Sequence, residues 1–437
     1  MPPSAPPAID PYASLRIAGF RRYALGYSVS VIGRQMVSIA VGYELYQRTN
    51  SSTVLGLVGL AGALPVILLA LPAGQVADRW NRKRILVLTS FLSALASLGL
   101  AILSLAYGRV PEVGILAASV RGLAAIAHQF GEGDGVVFDP SVPLMLALLF
   151  LIGSARAFAW AARGAFIANL VPRNLLASAV TWNSSNFQIS SMIGPAIGGV
   201  LIAQFGVASA YFLDAICGLI FIGAILPIRH RQEPAPKHDR PLRELFSGLR
   251  FVRSTKPILA TITLDLFAVL LGGATALLPI FAEKILHVGA SGLGWLRAAP
   301  SLGALLTGIA IAHLPPMRRA GRSLLIAVAG FGAVMIVFGL SKSFALSFAA
   351  LLCSGALDNI SVVVRHTLVQ LMTPDAMRGR VSAVNNIFIG SSNELGAFES
   401  GLTAAMWGPI ASVVVGGLGT IVAVGCVAAI WPEIRRL

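Results

Sequence analysis

Twelve runs of apolar residues, each about twenty residues long, dominate this chain of 437 residues. Crossing the ~30 Å hydrocarbon core of a bilayer takes roughly 20 helical residues. A soluble helix instead carries its apolar residues as a stripe on one face. The runs lack the period-two alternation of membrane β-strands. The sequence therefore predicts an all-α polytopic membrane protein with twelve transmembrane helices.

The composition agrees with this class, because 56% of the residues are hydrophobic and only 12% are charged. A net charge of +15 would indicate nucleic-acid binding in a soluble protein. Here the basic residues lie almost wholly in short gaps between apolar runs, so we expect no nucleic-acid partner. The predicted spans are 24–47, 53–77, 84–107, 141–162, 176–204, 208–228, 257–283, 289–313, 323–341, 343–364, 380–406 and 409–431.

Lysine and arginine are distributed unevenly between the two sets of connections. One set, together with the two ends of the chain, is rich in them, as in the run Arg82-Lys83-Arg84. The other set carries few, such as Arg109 and Lys284. By the positive-inside rule the rich set is cytoplasmic. Both termini are then cytoplasmic, which requires an even number of spans.

The two halves of the chain repeat each other. When the sequence is aligned with itself at an offset of 202 residues, Arg163 aligns with Arg365 and Gly199 aligns with Gly401. Earlier in each half the matching offset is 236 residues. The difference between the two offsets indicates an insertion in the first half, near residues 107–140 on the outer side. We expect this insertion to form a surface-lying helix followed by a loop. Two similar six-helix bundles that rock about a shared site are a common transporter architecture.

These patterns predict four segments. Residues 1–23 form a cytoplasmic N-terminal tail, 24–228 the first six-helix bundle, 229–256 a cytoplasmic linker and 257–437 the second bundle. The later part of the linker, LRELFSGLRFVRS, has two interpretations that remain open. It is either a solvated connection or an amphipathic helix that lies on anionic lipid.

Two short motifs carry a family resemblance. The connection after span two contains Gly74, Asp78, Arg79, Arg82 and Lys83 in the spacing G-x-x-x-D-R-x-x-R-K. A glycine at a helix end permits close packing, and an acid among arginines can form a charge network. Span five contains a proline that can kink the helix among small residues that permit tight packing. These residues are Ser190, Gly194, Pro195, Gly198 and Gly199.

The two motifs resemble motif A and motif C of the major facilitator superfamily, and the chain is most similar to its branch of bacterial drug and siderophore exporters. Asn81 and Ser190 stand where the family often has glycine. The resemblance implies that Asp78 and Arg79 join a cytoplasmic charge network that closes an inner gate. It also implies that the motif C glycines and Pro195 favour antiport.

Charged residues within the spans indicate which helices line a pathway, since a charge at bilayer depth faces protein or water. Spans three, nine and twelve are almost free of them and are assigned to lipid. The acids that could couple protons are Glu394, which is nearest to mid-span, and Asp265, Asp358 and Glu399. Their alternative role is a structural ion pair with Arg34, Arg156 or Arg297. Asn183 and Asn385 either line the pathway or bond neighbouring helices.

The resemblance implies a secondary active transporter in the bacterial inner membrane, which exports a small drug- or siderophore-like molecule in exchange for protons by alternating access. We expect a monomer with no cofactor and no metal. Uptake, or flipping of a lipid-like molecule, is an alternative within transport. A membrane-embedded sensor or enzyme is the alternative of another class, although the six histidines never pair at catalytic or metal-binding spacing.

Overall fold

The computed structural model describes residues 12–111, 114–132, 138–229, 241–313, 319–374 and 377–436. These ranges contain twelve long helical segments, namely α1 Ala18–Thr49, α2 Ser52–Arg79, α3 Arg82–Leu105, α4 Ser141–Leu170, α5 Leu176–Phe205, α6 Val207–Ile225, α7 Lys256–Ile285, α8 Gly289–His313, α9 Ala320–Leu340, α10 Phe344–Met372, α11 Arg378–Trp407 and α12 Pro409–Ile430. Two further helices are the outer helix Gly114–Gln129 and the linker helix Pro241–Ser254.

Each predicted span corresponds to one of these segments, and the all-α fold is confirmed. Among the described residues, eleven of the segments are long and apolar enough to cross a membrane, and α11 is not among them. Its composition explains this, because α11 carries Asn385, Asn393, Glu394 and Glu399. A helix this polar is expected to be shielded from lipid by neighbouring helices.

The seventh span is present as predicted, but its helix is interrupted. Regular helix ends at Leu271, and the segment continues as a 3-10 turn Ala274–Leu277 and a π-helical turn Phe281–Ile285. Gly272 and Gly273 lie at the break. A Cβ on Gly273 would come within 2.9 Å of the carbonyl carbon of Gly396 in α11. The break therefore occurs where two backbones approach too closely for side chains.

Alternate connections lie at opposite ends of the bundle. We call the end that carries both described termini the basic end and the opposite end the far end. At the basic end the hydroxyl groups of Ser14 and Ser178 are 2.9 Å apart, and Lys256 Nζ lies 3.5 Å from Glu433 Oε1. These contacts tie both termini to the helices of the same end.

The apolar core is shared at one end and divided at the other. We call α1–α6 the N-half and α7–α12 the C-half. One buried cluster joins both halves near the far end, with Met36, Leu55 and Met145 on one side and Leu278 and Leu296 on the other. Toward the basic end the buried clusters belong to one half each, apart from the linker helix that packs on the C-half. The halves thus meet at the far end and pack separately at the basic end.

The linker does contain a helix, which was one of the two alternatives. Val252 is only 2% exposed, and a Cβ on Gly248 would lie 2.8 Å from the carbonyl oxygen of Arg380. The linker helix therefore packs on the start of α11. The preceding residues 230–240, which include much of the predicted linker, lie outside the described residues.

The insertion of the N-half also contains a helix, as expected. Ala127 of the outer helix is 1% exposed, and Glu132 binds the start of α2. Its carboxylate accepts from Ser51 Oγ at 2.5 Å, Ser52 N at 2.6 Å and Thr53 N at 3.1 Å. Residues 133–137 of the Gly- and acid-rich piece lie outside the described residues.

Four helices lie at the periphery of the bundle. In the N-half these are α3 and α6, and in the C-half they are α9 and α12. Each packs mainly against helices of its own half. Their outer faces expose large apolar side chains, for example Leu95, Ile216, Ile326 and Val422. This agrees with the expectation that spans three, nine and twelve face lipid, and it adds α6 to them.

Candidate functional site

The contact between α2 and α11 is close toward the far end and absent at Gly74, near the basic end. A Cβ on Gly56 would lie 3.0 Å from Phe398 O, and a Cβ on Gly59 would lie 2.8 Å from Ala397 Cβ. A Cβ on Gly74, near the other end of α2, would meet nothing within 4 Å. The close packing expected at Gly74 is therefore absent, because the halves have parted at this end.

An ion pair joins the halves midway along this contact. Arg156 of α4 donates through Nη2 to Glu394 Oε1 at 2.6 Å and to the carbonyl oxygen of Gly62 at 2.9 Å. The absence of a side chain at Gly62 leaves this space open. The Arg156 and Glu394 side chains are 45% and 26% exposed, so the pair lies at the edge of a solvent-accessible gap. We call it the cross-half ion pair.

An aromatic side chain lies one helical turn from Arg156 toward the basic end. Trp160 is 42% exposed, and a Cβ on Gly390 of α11 would lie 3.5 Å from its indole ring. Residues four apart share a face of a helix. On the other side of the pair, Arg297 of α8 interacts electrostatically with Glu394 and donates to Thr275 O at 3.2 Å, within the broken part of α7.

The other candidate acids of the C-half differ in their surroundings. Asp265 forms an ion pair with Arg365, and the two residues are only 6% and 2% exposed. Asp358 lies two turns from Arg365 on the same face of α10, is exposed, and forms no ion pair with a described residue. Glu399 is partly buried, and its carboxylate accepts from Ser400 Oγ at 3.5 Å. Arg365 is thus a partner that the sequence analysis did not name for Asp265.

The predicted cavity residue Arg34 contacts its own half. It donates to Ser30 Oγ at 2.5 Å and interacts electrostatically with Asp214, whose Oδ2 accepts from Ser97 Oγ at 2.5 Å. Arg163 likewise bonds the hydroxyl of Tyr27 within the N-half. Of these three arginines of the N-half, Arg156 alone forms an ion pair with Glu394 in the described chain.

Asn183 and Asn385 occupy equivalent places in the repeat and share one property. The Oδ1 atom of each is buried without a hydrogen-bond partner among the described residues. Two other residues of α5, nearer its C-terminal end, form hydrogen bonds with α1. Ser190 Oγ donates to Ser28 O at 3.2 Å, and Gln35 Nε2 donates to Ser191 Oγ at 2.7 Å.

The motif A residues lie in the connection between α2 and α3 at the basic end. Asp78 and Arg79 are exposed, and Asp78 forms no ion pair within the described chain. Lys83 Nζ donates to the carbonyl oxygens of Leu226 and Ile228 at 2.6 and 2.8 Å, where α6 ends. Arg82 is half-buried with a partner of its own. No described residue of the C-half forms an ion pair with Asp78, and the role of this charge network in closing an inner gate stays a prediction.

The motif C glycines bring three helices together. A Cβ on Gly194 would lie 2.8 Å from Ile32 O of α1, and Gly198 faces Met36 of the same helix. A Cβ on Gly199 would lie 2.6 Å from Ala290 O and 2.8 Å from Gly294 Cα of α8, across the boundary between the halves. Motif C therefore forms part of the closed far end.

The repeat-related residue of α11 makes the matching contact. A Cβ on Gly401 would lie 2.5 Å from the Cα of Gly56 in α2. Two glycine crossings, α5 with α8 and α11 with α2, thus close the far end. The repeat identified Gly199 and Gly401 as equivalent, but the partners Gly294 and Gly56 could not be identified from spacing.

A polar network completes the far end. Arg48 donates to Glu44 Oε1 and to Ser141 Oγ, both at 2.5 Å, and Tyr211 donates to Glu44 Oε2 at 2.7 Å. Lys284 of α7 lies 5.5 Å from the ring centroid of Tyr46. This network borders a cavity of about 620 Å³ and links α1 of one half to α7 of the other. No group of three or more potential metal-ligating side chains occurs among the described residues.

Comparisons with known proteins agree with this architecture. The Major Facilitator Superfamily pattern matches residues 23–397. The enterobactin exporter EntS of Citrobacter koseri is 28% identical over 418 residues, which cover 95% of this chain and 92% of the relative. EntS of Shigella flexneri is 27% identical over the same shares of the two chains.

Solved structures show the same fold. A bacterial homolog of the human lysosomal transporter Spinster, in an inward-facing and occupied conformation, gives a TM-score of 0.68 at 14% identity, covering 98% of this chain and 99% of that one. A D-xylose–proton symporter gives 0.67 at 14% identity over 98% and 99% of the chains. The expected fold, two six-helix repeats of the major facilitator type, is confirmed. The chain therefore belongs to the Major Facilitator Superfamily, and it is a multi-pass membrane transporter of small molecules rather than an enzyme.

Proposed function

We propose that this transporter exports a small drug- or siderophore-like molecule in exchange for protons, by alternating access, as a monomer in a bacterial inner membrane. The observation that carries the proposal is the cross-half ion pair. It lies at mid-depth between two halves that are joined at the far end and parted at the basic end. Such a site is open to one side of the membrane at a time.

The distribution of arginine and lysine supports an orientation for the cycle. The basic end carries Arg79, Arg84, Arg173 and Arg319, so the positive-inside rule assigns it to the cytoplasm. The present conformation is then inward-open. A substrate from the cytoplasm reaches Arg156 and Trp160 directly.

The cross-half ion pair gives a physical basis for obligatory exchange. An antiporter must not change conformation when it carries neither proton nor substrate. In the empty state the Arg156–Glu394 contact holds the halves in the inward-open arrangement. A proton on Glu394 removes the carboxylate charge, and a substrate that binds Arg156 replaces it. Either event removes the Arg156–Glu394 contact between the halves and so frees them to move.

Chemistry at the gap supports the substrate class. A guanidinium and an exposed indole on one face of α4 fit an aromatic molecule that carries negative charge or several hydrogen-bond acceptors. The relatives named as enterobactin exporters transport a siderophore. The match extends over 95% of this chain, which supports the same direction of transport here.

The proposal is tested with purified protein in lipid vesicles that have an acidic lumen. Enterobactin and the cationic dye ethidium serve as probes, and a lumenal pH dye reports proton movement. We expect at least one probe to accumulate in the lumen and its addition to accelerate proton efflux. Accumulation that persists after a protonophore collapses the gradient would contradict antiport, and transport of neither probe would contradict the substrate class.

Matched variants test the assigned acid. Glu394→Gln is expected to abolish proton-driven accumulation. Glu399→Gln removes an acid from the same helix that has no ion pair in the described chain, and it is expected to leave exchange within about twofold of the unaltered protein, well below the tenfold that corresponds to 1.4 kcal/mol. Undiminished exchange by Glu394→Gln would exclude Glu394 as the coupling acid.

A further inference from the structure

A second site lies on the outside of the N-half, away from the gap between the halves. At the basic end a groove of about 580 Å³ separates the start of α3 from the end of α6. Its walls combine three cationic side chains, Lys83, Arg84 and Arg229, with the apolar side chains of Leu88, Phe91 and Leu226. None of the described residues that line it is acidic. The groove is therefore positively charged at one end and apolar along its length.

The cationic end is built by a contact that fixes its shape. Lys83 Nζ donates to the carbonyl oxygens of Leu226 and Ile228, at 2.6 and 2.8 Å, and so holds the end of α6 against the start of α3. Arg84 and Arg229 are exposed beside it and form no ion pair with a described residue. Two guanidinium groups thus remain able to bind an external anion bidentately.

The apolar part of the groove continues into the surface that faces lipid. Leu88 and Phe91 are each 51% exposed and Leu226 is 57% exposed. One turn farther along α3, Leu95 is 54% exposed. Large apolar side chains of this kind are expected to contact acyl chains, and the arginines lie where the helices reach the headgroup region. The ligand that fits both parts is amphiphilic, with an anionic head.

The second half of the repeat lacks this arrangement. The positions that correspond to Lys83, Arg84 and Arg229 are Arg319, Ala320 and Trp431. Two of the three cations are missing there, although that half has the same helices at the same end. The groove is therefore not a general consequence of the fold or of the positive-inside rule.

We propose that this groove binds one anionic phospholipid of the leaflet at the basic end. Arg84 and Arg229 contact the headgroup phosphate, and the acyl chains lie along Leu88, Phe91 and Leu95. The recognition combines charge with apolar contact, so a free phosphate, which lacks the chains, binds far more weakly.

The test measures binding of fluorescent phosphatidylglycerol and phosphatidylcholine to the purified full-length protein in mixed micelles. The variant Arg84→Gln/Arg229→Gln removes two cations that lie near the membrane surface. It is expected to lower phosphatidylglycerol affinity roughly thirtyfold and to leave phosphatidylcholine binding unchanged. The charge-retaining variant Arg84→Lys/Arg229→Lys is expected to recover part of the affinity, since lysine restores the charge but not the bidentate contact. It also separates loss of the site from misfolding.

Arg322→Gln is the matched control, because Arg322 is an exposed arginine at the start of α9, the equivalent helix of the C-half. It is expected to change phosphatidylglycerol affinity less than twofold. An equal loss in Arg322→Gln, or no loss in the double variant, would overturn the proposal. Displacement of the lipid by millimolar inorganic phosphate would also overturn it, since that result would indicate a simple phosphate site.

Discussion

Asp265 and Arg365 form the most deeply buried ion pair of the C-half among the described residues. Breaking a buried pair by removing one partner costs about 3–5 kcal/mol, because the remaining charge loses its compensation. Asp265→Asn is therefore expected to lower the Tm of the detergent-purified protein by roughly 3–5 °C. Adding Arg365→Gln should restore part of that loss, since no charge then remains unpaired.

Asp358→Asn is the comparison for this prediction. Asp358 lies on the same face of α10 but is exposed and forms no ion pair with a described residue, so its neutralisation should change Tm by less than about 2 °C, in line with a substitution outside a buried network. Equal losses in Asp265→Asn and Asp358→Asn would show that the Asp265–Arg365 contact has no special structural role.

The sequence identified the charged residues within the spans and named Arg156 among three possible partners of the acids, but it could not assign one acid to one arginine. Arg156 and Glu394 are 238 positions apart, and their contact depends on how the two bundles pack. Arg34 has the same residue type as Arg156, yet it contacts only its own half. Periodicity places a residue on a helix face, whereas the pairing of faces is decided by tertiary packing.

Helix contacts at the far end depend on glycine at the crossings. A Cβ at Gly199 would lie 2.6 Å from a backbone oxygen of α8, so Gly199→Ala requires the halves to separate locally. We expect this variant to weaken the far-end closure and to let protons leak into vesicles without substrate, several-fold faster than the unaltered protein. The leak is measured with a lumenal pH dye.

Gly223→Ala is the matched control for the leak. A Cβ at Gly223 of α6 would meet nothing within 4 Å, so the same chemical change occurs on a helix that does not seal the far end. It should leave the leak unchanged. If Gly199→Ala does not increase the proton leak, or if Gly199→Ala and Gly223→Ala both increase it, the assigned role of the α5–α8 glycine crossing is contradicted.

The outer helix is anchored by one carboxylate. Glu132 binds the first backbone N–H groups of α2, where a negative charge contributes about 0.5–2 kcal/mol. Glu132→Gln is expected to increase amide hydrogen exchange several-fold in Gly114–Gln129. The measurement is hydrogen–deuterium exchange read by mass spectrometry.

Asp139→Asn provides the comparison, because Asp139 Oδ1 accepts from Ser141 N at the start of α4 in the same way. Its removal should affect exchange at the start of α4 and leave the outer helix unchanged. If Glu132→Gln leaves exchange in the outer helix unaltered, Glu132 is not the anchor.

The helices themselves could be predicted from the sequence, because the length of an apolar run is a local property of the chain. All twelve runs correspond to long helical segments, and the basic connections lie at one end. The break in α7 was not predictable, since its cause is the approach of Gly396 from a helix more than a hundred residues away. The linker helix likewise depends on packing against the start of α11.

At the scale of the whole molecule the two ends differ, because the halves are joined at the far end and parted at the basic end. The far end is sealed by glycine crossings, a shared apolar core and the Arg48–Glu44 network. The basic end is open, and the motif A acid Asp78 has no ion-pair partner among the described residues of the C-half. The repeat predicted two similar bundles, but sequence similarity between them cannot indicate which end is closed, because both conformations use the same residues.

The account predicts that Glu394 controls the exchange between the two arrangements. Spin labels can follow both ends in a background in which Cys217, Cys353 and Cys426 are replaced by serine. One label pair at Val180 and Leu371 spans the basic end, and another at Leu105 and Leu340 spans the far end. All four positions are exposed.

The decisive measurement is the distance distribution of both label pairs, at alkaline and acidic pH, in lipid nanodiscs. We expect a single wide basic-end distance at alkaline pH. At acidic pH a shorter basic-end component should appear together with a longer far-end component. Glu394→Gln should show both components at either pH. Distances in the unaltered protein that ignore pH, or a Glu394→Gln protein that responds to pH as the unaltered protein does, would contradict the account.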